Sequence, residues 1–340
     1  MQKTVVHLSR LAYPHPGGVE RHLDELLPEL DRLGFKNTVL TIQDEKNQKL
    51  SESRKTYSII RIRANKRTKL GYKISIWKQI IKYLGLLRTA DIIHIHDVFW
   101  WPLPILPFIS WKKIFITFHG YEKDDGPSFT DIFWHQLAAK VCQANLCIGD
   151  FHAKWYKIKP SLVSFGAVKS YKIPKTTKKA GAVFIGQLKE QAGIMQYLEA
   201  MSLLRKNKDH LSLDIFGNGP LENIARSYAK KHDLSVRFLG WDENAYKKIG
   251  QYKIAFVSRY LSIIESLATG TSVIAVSSNE IKFDYLSMTP YSKDISIAES
   301  AEQIMSYAKK PVPVDKKMQS WAREQTWEKL ARNYIELWQK

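Results

Sequence analysis

Apolar runs of four to six residues recur along this chain, each followed by a stretch whose apolar residues return every three to four positions. "TVVHL" (4–8) reads as a buried strand. "VERHLDELLPELDRLG" (19–34) reads as a helix with Leu23, Leu26, Leu27, Leu30 and Leu33 on one face and Gly34 at its stop. "NTVLTI" (37–42) is the next strand and "YSIIRIR" (57–63) a further candidate. A helix is predicted over 75–90, strands over 91–96 ("DIIHIH") and 114–120 ("IFITFHG"), and a helix over 131–144. Strand and helix in alternation predict an α/β fold with a parallel sheet covered on both faces.

The rhythm then pauses and restarts. "SFGAVKSYKIPKTTKKAG" (164–181), rich in Lys, Gly and Thr, has the composition of a linker. Strands follow at 182–186, 211–217, 236–240, 253–258 and 271–276, interleaved with helices at 193–207, 221–232 and 262–270. A last helical stretch covers 315–340. The expected organisation is a first doubly wound domain (1–165), a linker (166–181), a second such domain (182–320) and a closing helix (321–340). Ligands of such sheets lie beyond the C-terminal strand ends, so two facing domains would hold one in the cleft between them.

Composition sharpens this picture. The 340 residues suffice for two cores. Cys142 and Cys147 are too few for a disulfide framework and lack the second pair of a zinc site, so they read as core residues of a reducing compartment. The N-terminal residues run directly into a strand pattern without a signal-peptide profile, and the most apolar tract, 98–111, is broken by Pro102, Pro104 and Pro107. The expectation is a cytoplasmic protein. Its 52 basic against 33 acidic residues give a net charge of +19, which favours anionic partners. The excess is concentrated between Lys46 and Arg88, where Glu52 is the single acid. No recognition motif accompanies the charge, so nucleic acid is not an expected partner.

Candidate chemistry sits where strands end. Gly17 and Gly18 in "PHPGGVERH" offer either a tight turn or a close backbone approach to a ligand at a helix N-terminus. His119 ends a strand and is suited to bind a sugar hydroxyl or phosphate, or to exchange a proton. In "HIHD", His94 and His96 share a strand face and Asp97 does not, which argues against a metal and leaves His96 or Asp97 as cleft-lining residues. "IGQLKEQAG" (185–193) outlines a phosphate cradle with Gly186 and Gly193 but one cation, Lys189, beside Glu190. Gly217 and Gly219 form another glycine turn before a helix. Glu265 is a carboxylate in an apolar helix, where it needs a partner such as a ribose.

In this order, "PGGVERHLDELLPELDRLGFKNTVLT", "ADIIHIHD", "ITFHG", "AVFIGQL", "LDIFGNGP", "VRFLGW", "IIESLATGTSVIA" and "TWEKLARNYIEL" resemble the family 4 glycosyltransferases of the GT-B fold over nearly the whole chain. The resemblance implies two Rossmann-like doubly wound domains facing across a cleft, with the C-terminal helix packed back on the first. It also implies retaining transfer from a UDP- or GDP-sugar, UDP being favoured by frequency among relatives, without a metal or other cofactor. It assigns Gly17 and Gly18 to the donor phosphates and sugar, His119 to the reaction centre, Glu265 to the ribose and Gly217 to the base side.

Two departures stand out. Gln187 and Ala192 occupy positions where the family usually has an arginine and a lysine, and "VSRYLSIIE" lacks the family's upstream loop glutamate. Lys189, Arg259 or Arg10 are candidates to replace those cations. A catalytically silent donor-binding relative, acting as a partner subunit, is therefore an alternative to an active enzyme.

The helix predicted over 75–90, read together with the residues just before it, places Ile74, Trp77, Ile80, Ile81 and Leu84 together, with Lys73, Lys78 and Lys82 elsewhere. Such a helix suits either an anionic lipid surface or a core position with snorkelling lysines. Trp100 and Trp101 are expected at the membrane beside it. A lipid-linked or glycan acceptor at the inner face of the plasma membrane follows as the expected partner.

Overall fold

A computed structural model describes residues 2–65, 67–109, 113–121, 123–169 and 181–340. The chain divides into two compact units. The first runs to Ser164 and takes in Trp327–Lys340; the second is Phe165–Thr326. Most of the predicted linker, 170–180, lies outside the described residues.

The first unit contains, in order, β1 (Lys3–Ser9), α1 (Gly18–Arg32), β2 (Phe35–Ile42), β3 (Ser51–Ser53), β4 (Tyr57–Ile62), α2 (Lys69–Lys82), α3 (Leu84–Thr89), β5 (Ile92–His96), β6 (Ile114–Phe118), α4 (Phe129–Val141), β7 (Ala144–Ile148), α5 (Phe151–Trp155) and β8 (Leu162–Ser164). Its sheet order is β3-β4-β2-β1-β5-β6-β7-β8. All pairs are parallel except β3 on β4. Every residue of β5, β6 and β7 is buried, as expected for parallel strands covered on both faces.

The second unit contains β9 (Ala182–Ile185), α6 (Ile194–Lys206), β10 (Leu213–Phe216), α7 (Glu222–Lys231), β11 (Val236–Gly240), β12 (Ile254–Phe256), α8 (Tyr260–Ala268), β13 (Ser272–Val276), α9 (Glu280–Ser287), β14 (Ile295–Ala298), α10 (Ala301–Lys309) and α11 (Lys316–Glu324). Its parallel sheet has the order β11-β10-β9-β12-β13-β14. Strand order therefore reverses between β1 and β5 in one unit and between β9 and β12 in the other. These switch points are where a doubly wound sheet opens a crevice for ligands.

Several elements differ from the sequence reading. The helix expected over 75–90 is two, α2 and α3, separated at Tyr83. α2 starts six residues early because the Thr68 hydroxyl accepts the Gly71 N–H and caps it. The closing stretch is also two helices. It breaks at Gln325–Thr326, where the Gln325 carbonyl accepts the Val168 N–H and Thr326 pairs with Val168. α12 (Trp327–Leu337) then returns to the first unit and buries Trp327, Leu330, Ala331, Tyr334 and Leu337, packing on α1.

Candidate functional site

At the first switch point the strand ends carry histidines. His7 on β1 and His94 and His96 on β5 lie in adjacent strands in register, His7 directly opposite His94. His119 follows β6. His96, expected at a cleft edge, is instead buried beneath His119, because its ring bonds histidines on both sides. Asp97 is exposed and adopts φ +63°, which aspartate tolerates better than most residues. Its Oδ1 accepts the His119 backbone N–H at 2.9 Å and so ties the ends of β5 and β6 together.

The hydrogen bonds fix the proton positions. Asn37 Nδ2 donates to the carbonyls of Phe35 (2.9 Å) and Leu27 (3.4 Å), which leaves Oδ1 facing His7 Nε2 at 3.1 Å. His7 must therefore donate through Nε2 and accept through Nδ1. His96 then donates through Nε2 to His7 Nδ1 (3.2 Å), and His119 donates through Nε2 to His96 Nδ1 (2.9 Å). His119 is left with Nδ1 as an acceptor.

A second chain starts from the C-terminal segment. Trp338 Nε1 donates to His94 Nδ1 (2.9 Å), His94 Nε2 to Thr117 Oγ1 (2.8 Å), Thr117 to the Tyr334 hydroxyl (2.9 Å), and Tyr334 to His22 Nε2 (2.8 Å). The His22 ring stands edge-on to His119, with centroids 4.7 Å apart. Burial disfavours the charged imidazolium throughout. It lowers His7 to about 4 and His22 to about 3, and holds His94, His96 and His119 well below the usual range, with neighbouring histidines adding to the shift at His22, His94, His96 and His119. Both chains are thus neutral near pH 7. The rings bond one another, and among the described residues no group of His, Cys, Asp or Glu converges as metal ligands do.

Gly17 precedes α1 in extended backbone, and a Cβ there would meet a Glu20 carboxylate oxygen at 2.0 Å. Gly18 faces open space. Of the basic run, Arg61 is internal: it donates to the carbonyls of Lys49 (2.9 Å) and Tyr13 (2.8 Å) and pairs with Glu52 at 2.8 Å. On α2 the core face is Ile76 and Ile80, whereas Leu70, Ile74 and Ile81 are exposed together with Lys73, Lys78 and Lys82. Trp77 is half-buried and its Nε1 donates to the Trp100 carbonyl at 2.9 Å. Trp101, expected at a membrane, is fully buried in the core. The sequence reading missed the exposed aromatics of α4, Phe129, Phe133 and Trp134.

At the second switch point backbone geometry takes over. The Gly186 N–H bonds the Phe216 carbonyl and the Leu188 N–H the Asn218 carbonyl, so the loops after β9 and β10 lie side by side. Gly217, at φ +147°, would place a Cβ 1.8 Å from the Gly186 carbonyl oxygen; Gly219 would meet Leu188 at 2.4 Å. Only glycine permits that contact. Gly193 (φ +78°) leads into α6 against Val276. Gln187 and Lys189 are half-buried, and Ala192 is packed in the core of the unit. Arg259 stands at the N-terminus of α8, and Glu265 on the same helix is buried.

One residue here carried no signal in the sequence. Lys282 on α9 is 1% exposed; its ammonium donates to the Ser258 carbonyl just past β12 and lies 4.8 Å above the Tyr285 ring. Arg259 approaches the same ring at 6.0 Å, and Tyr285 stacks on Tyr260 at 3.9 Å. Two cations therefore flank the end of β12.

Two Rossmann-like units of this strand order, with a glycine loop at the second switch point, define the GT-B glycosyltransferase architecture. Residues 16–157 match the Glycosyltransferase Family 4 model, and residues 168–289 match that of the Glycosyl transferases group 1. The first unit is thus similar to the family 4 glycosyltransferases and most of the second to the glycosyl transferases group 1. Among solved structures it shares its fold with a sucrose-phosphate synthase from Thermosynechococcus elongatus (TM-score 0.78, 14% identity, covering 99% of this chain and 98% of that one). It also shares it with Anabaena HepE in complex with UDP and glucose (TM-score 0.72, 12% identity, 98% of both chains). A curated relative, digalactosyldiacylglycerol synthase 1 of Arabidopsis thaliana, is 29% identical over 145 residues. That match covers 39% of this chain but only 17% of the relative's length.

Proposed function

We propose that this chain transfers a sugar from a nucleotide-diphospho-sugar, UDP rather than GDP, to a lipid-linked or glycan acceptor at an anionic membrane surface on the cytoplasmic side. Transfer proceeds with retention and without a metal or other cofactor. The observation that carries the reading is the glycine loop 186–193, which leads from β9 into α6 at the switch point and so sets the positive end of α6 at the C-terminal edge of the sheet. UDP in the HepE structure and the galactolipid in the name of the Arabidopsis relative favour the donor and the acceptor chosen.

In the reaction the acceptor hydroxyl oxygen bonds to the sugar C1 as the bond from C1 to the diphosphate oxygen breaks. The nucleoside diphosphate leaves with that electron pair, and the hydroxyl proton passes to it. Neutral His119 presents Nδ1 to a donor-sugar hydroxyl, its orientation held through Nε2 by His96. Arg259 and Lys189, with the positive end of α6, serve the departing diphosphate in place of the cations absent at Gln187 and Ala192; fixed charge aimed at a leaving group stabilises the transition state strongly. Gly17 and Gly18 serve the donor from α1, Glu265 the ribose and Gly217 the base side.

The test is nucleotide release from a panel of UDP- and GDP-sugars, with and without anionic vesicles carrying acceptor, alongside binding curves on the same protein. Release on one donor is the expected result. Tight binding with no release on any acceptor returns the silent partner-subunit reading. Glu265→Ala is expected to weaken UDP affinity roughly tenfold or more, a charge-assisted pair of hydrogen bonds being lost; unchanged affinity removes Glu265 from the donor site. NMR of the product decides the anomer.

A further inference from the structure

The first unit holds a cavity of about 510 Å³ that the donor reading leaves unused. Its walls are the ends of β1 and β2 (Arg10, Asp44), the first turns of α2 (Lys69, Tyr72, Lys73) and Trp100. Its size is that of a small-molecule site. Three cations face one acid, and the positive end of α2 adds to their field. The Arg10 guanidinium donates to the Tyr72 hydroxyl. The Tyr72 and Trp100 rings, 6.0 Å apart, give the cavity an aromatic wall, and the Trp77 indole N–H braces the Trp100 carbonyl.

The outer flank of α2 is apolar. Leu70, Ile74 and Ile81 are 68%, 40% and 51% exposed, and spacings of four and seven put them on one helix face. Leu70 and Ile74 each directly follow a cavity lysine, Lys69 or Lys73. Lys78 and Lys82 continue the basic border along the helix. A cationic, aromatic-walled cavity opening beside an exposed apolar stripe fits a ligand that is anionic at one end and apolar at the other. Nucleic acid does not fit, since its affinity comes from many phosphates along an open track rather than one headgroup in a cavity.

We infer that this cavity seats the phosphate-type anion of a lipid acceptor's headgroup, with the lipid lying along Leu70, Ile74 and Ile81. This rests on the lipid-linked acceptor at an anionic membrane surface proposed above, and assigns its headgroup to the first unit. Arg10, Lys69 and Lys73 hold the anion, Asp44 receives a headgroup hydroxyl, and the aromatic wall takes the apolar face of a sugar ring.

The experiment is flotation of the full chain with phosphatidylcholine vesicles and with vesicles containing an anionic phospholipid, with glycerol phosphate as a soluble competitor. Lys69→Gln with Lys73→Gln is expected to cut binding to anionic vesicles by roughly fivefold per lysine and to leave the weak binding to neutral ones unchanged. Ile74→Gln with Ile81→Gln is expected to lower binding to both, and Asp44→Asn to raise the anionic preference. All these positions are solvent-facing, and circular dichroism of each variant checks the fold. UDP affinity is measured in parallel and is expected to be unaltered in every variant. Anionic-vesicle binding that survives the lysine substitutions overturns the site. Full competition by glycerol phosphate, with no effect of the isoleucine substitutions, overturns the lipid and leaves a soluble phosphate ligand. A wild-type chain that binds no nucleotide defeats the donor reading alone, since the vesicle arm is read without it.

Discussion

The two units share a strand order yet finish their switch points in different materials. The first uses side chains: eight of the ten histidines lie in it, and five of them crowd the ends of β1, β5 and β6 and the first turns of α1. The second uses backbone: Gly217 is pressed on the Gly186 carbonyl and Gly219 on Leu188, so closely that a carbon added at either glycine collides. A side-chain network responds to protons and to single-atom substitution at a distance. A backbone network responds to volume.

The sharpest way to break the contrast is at His119. His119→Ala is expected to lower kcat about ten- to a hundredfold, a donor-sugar hydroxyl losing its buried acceptor, while leaving UDP affinity near wild type. Steady-state kinetics with a parallel UDP titration measures it; equal losses in both would make His119 a donor-binding group and nothing more.

Acid comes next. In the unfolded chain a histidine takes up its proton below about pH 6.5, whereas folded His7 and His22 resist until about 4 and about 3. Between those limits the unfolded state binds more protons, so stability is fully present above pH 6.5 and falls as the pH drops. The loss is about 1.4 kcal/mol per pH unit for each histidine. Hydrogen exchange between pH 7 and pH 4 is expected to show the first unit opening well before the second. Simultaneous opening would contradict it.

Gly217→Ala is expected to cost the second unit about 3 kcal/mol, from overpacking against the Gly186 carbonyl and from its positive φ. Gly18→Ala, in open space at the start of α1, is expected to change stability by no more than about 0.5 kcal/mol. Urea denaturation of the two variants gives the comparison directly. Tyr334→Phe strips the buried Thr117 hydroxyl and His22 Nε2 of their shared partner, for an expected loss of about 1 to 2 kcal/mol confined to the first unit.

Much of the fold could be read from periodicity because buried parallel strands are continuous apolar runs. The glycines after β9 and β10 were visible for the same reason: little else fits a close approach. Edge elements were not. β3 and β8, three residues each, carry too few positions for a pattern, and β14 with α10 was passed over. The α2 helix was read from residue 75 and run on into α3, without its first six residues, and its faces were merged. Ile80 goes to the core while Ile74 and Ile81 stay outside, because the helix buries a narrower stripe than its apolar content suggests. Trp101 shows that an aromatic beside a basic stretch is no guide to exposure. Lys282 was invisible because a lysine signals a surface unless a carbonyl such as that of Ser258 awaits it. The histidine chains join residues up to 312 positions apart, beyond the reach of any local pattern.

The return of α12 has a bearing on synthesis. Tyr334 and Trp338 are the last residues needed to complete the proton-ordered network of the first unit, and the whole of the second unit is encoded before them. In chain order the second unit is an insertion within the first. A ribosome therefore delivers a complete second unit while the histidines of the first still lack the donors that set their tautomers. Nascent chains stalled just after Thr326 are expected to show a protease-resistant second unit tethered to a first unit that becomes equally resistant only when the final residues emerge.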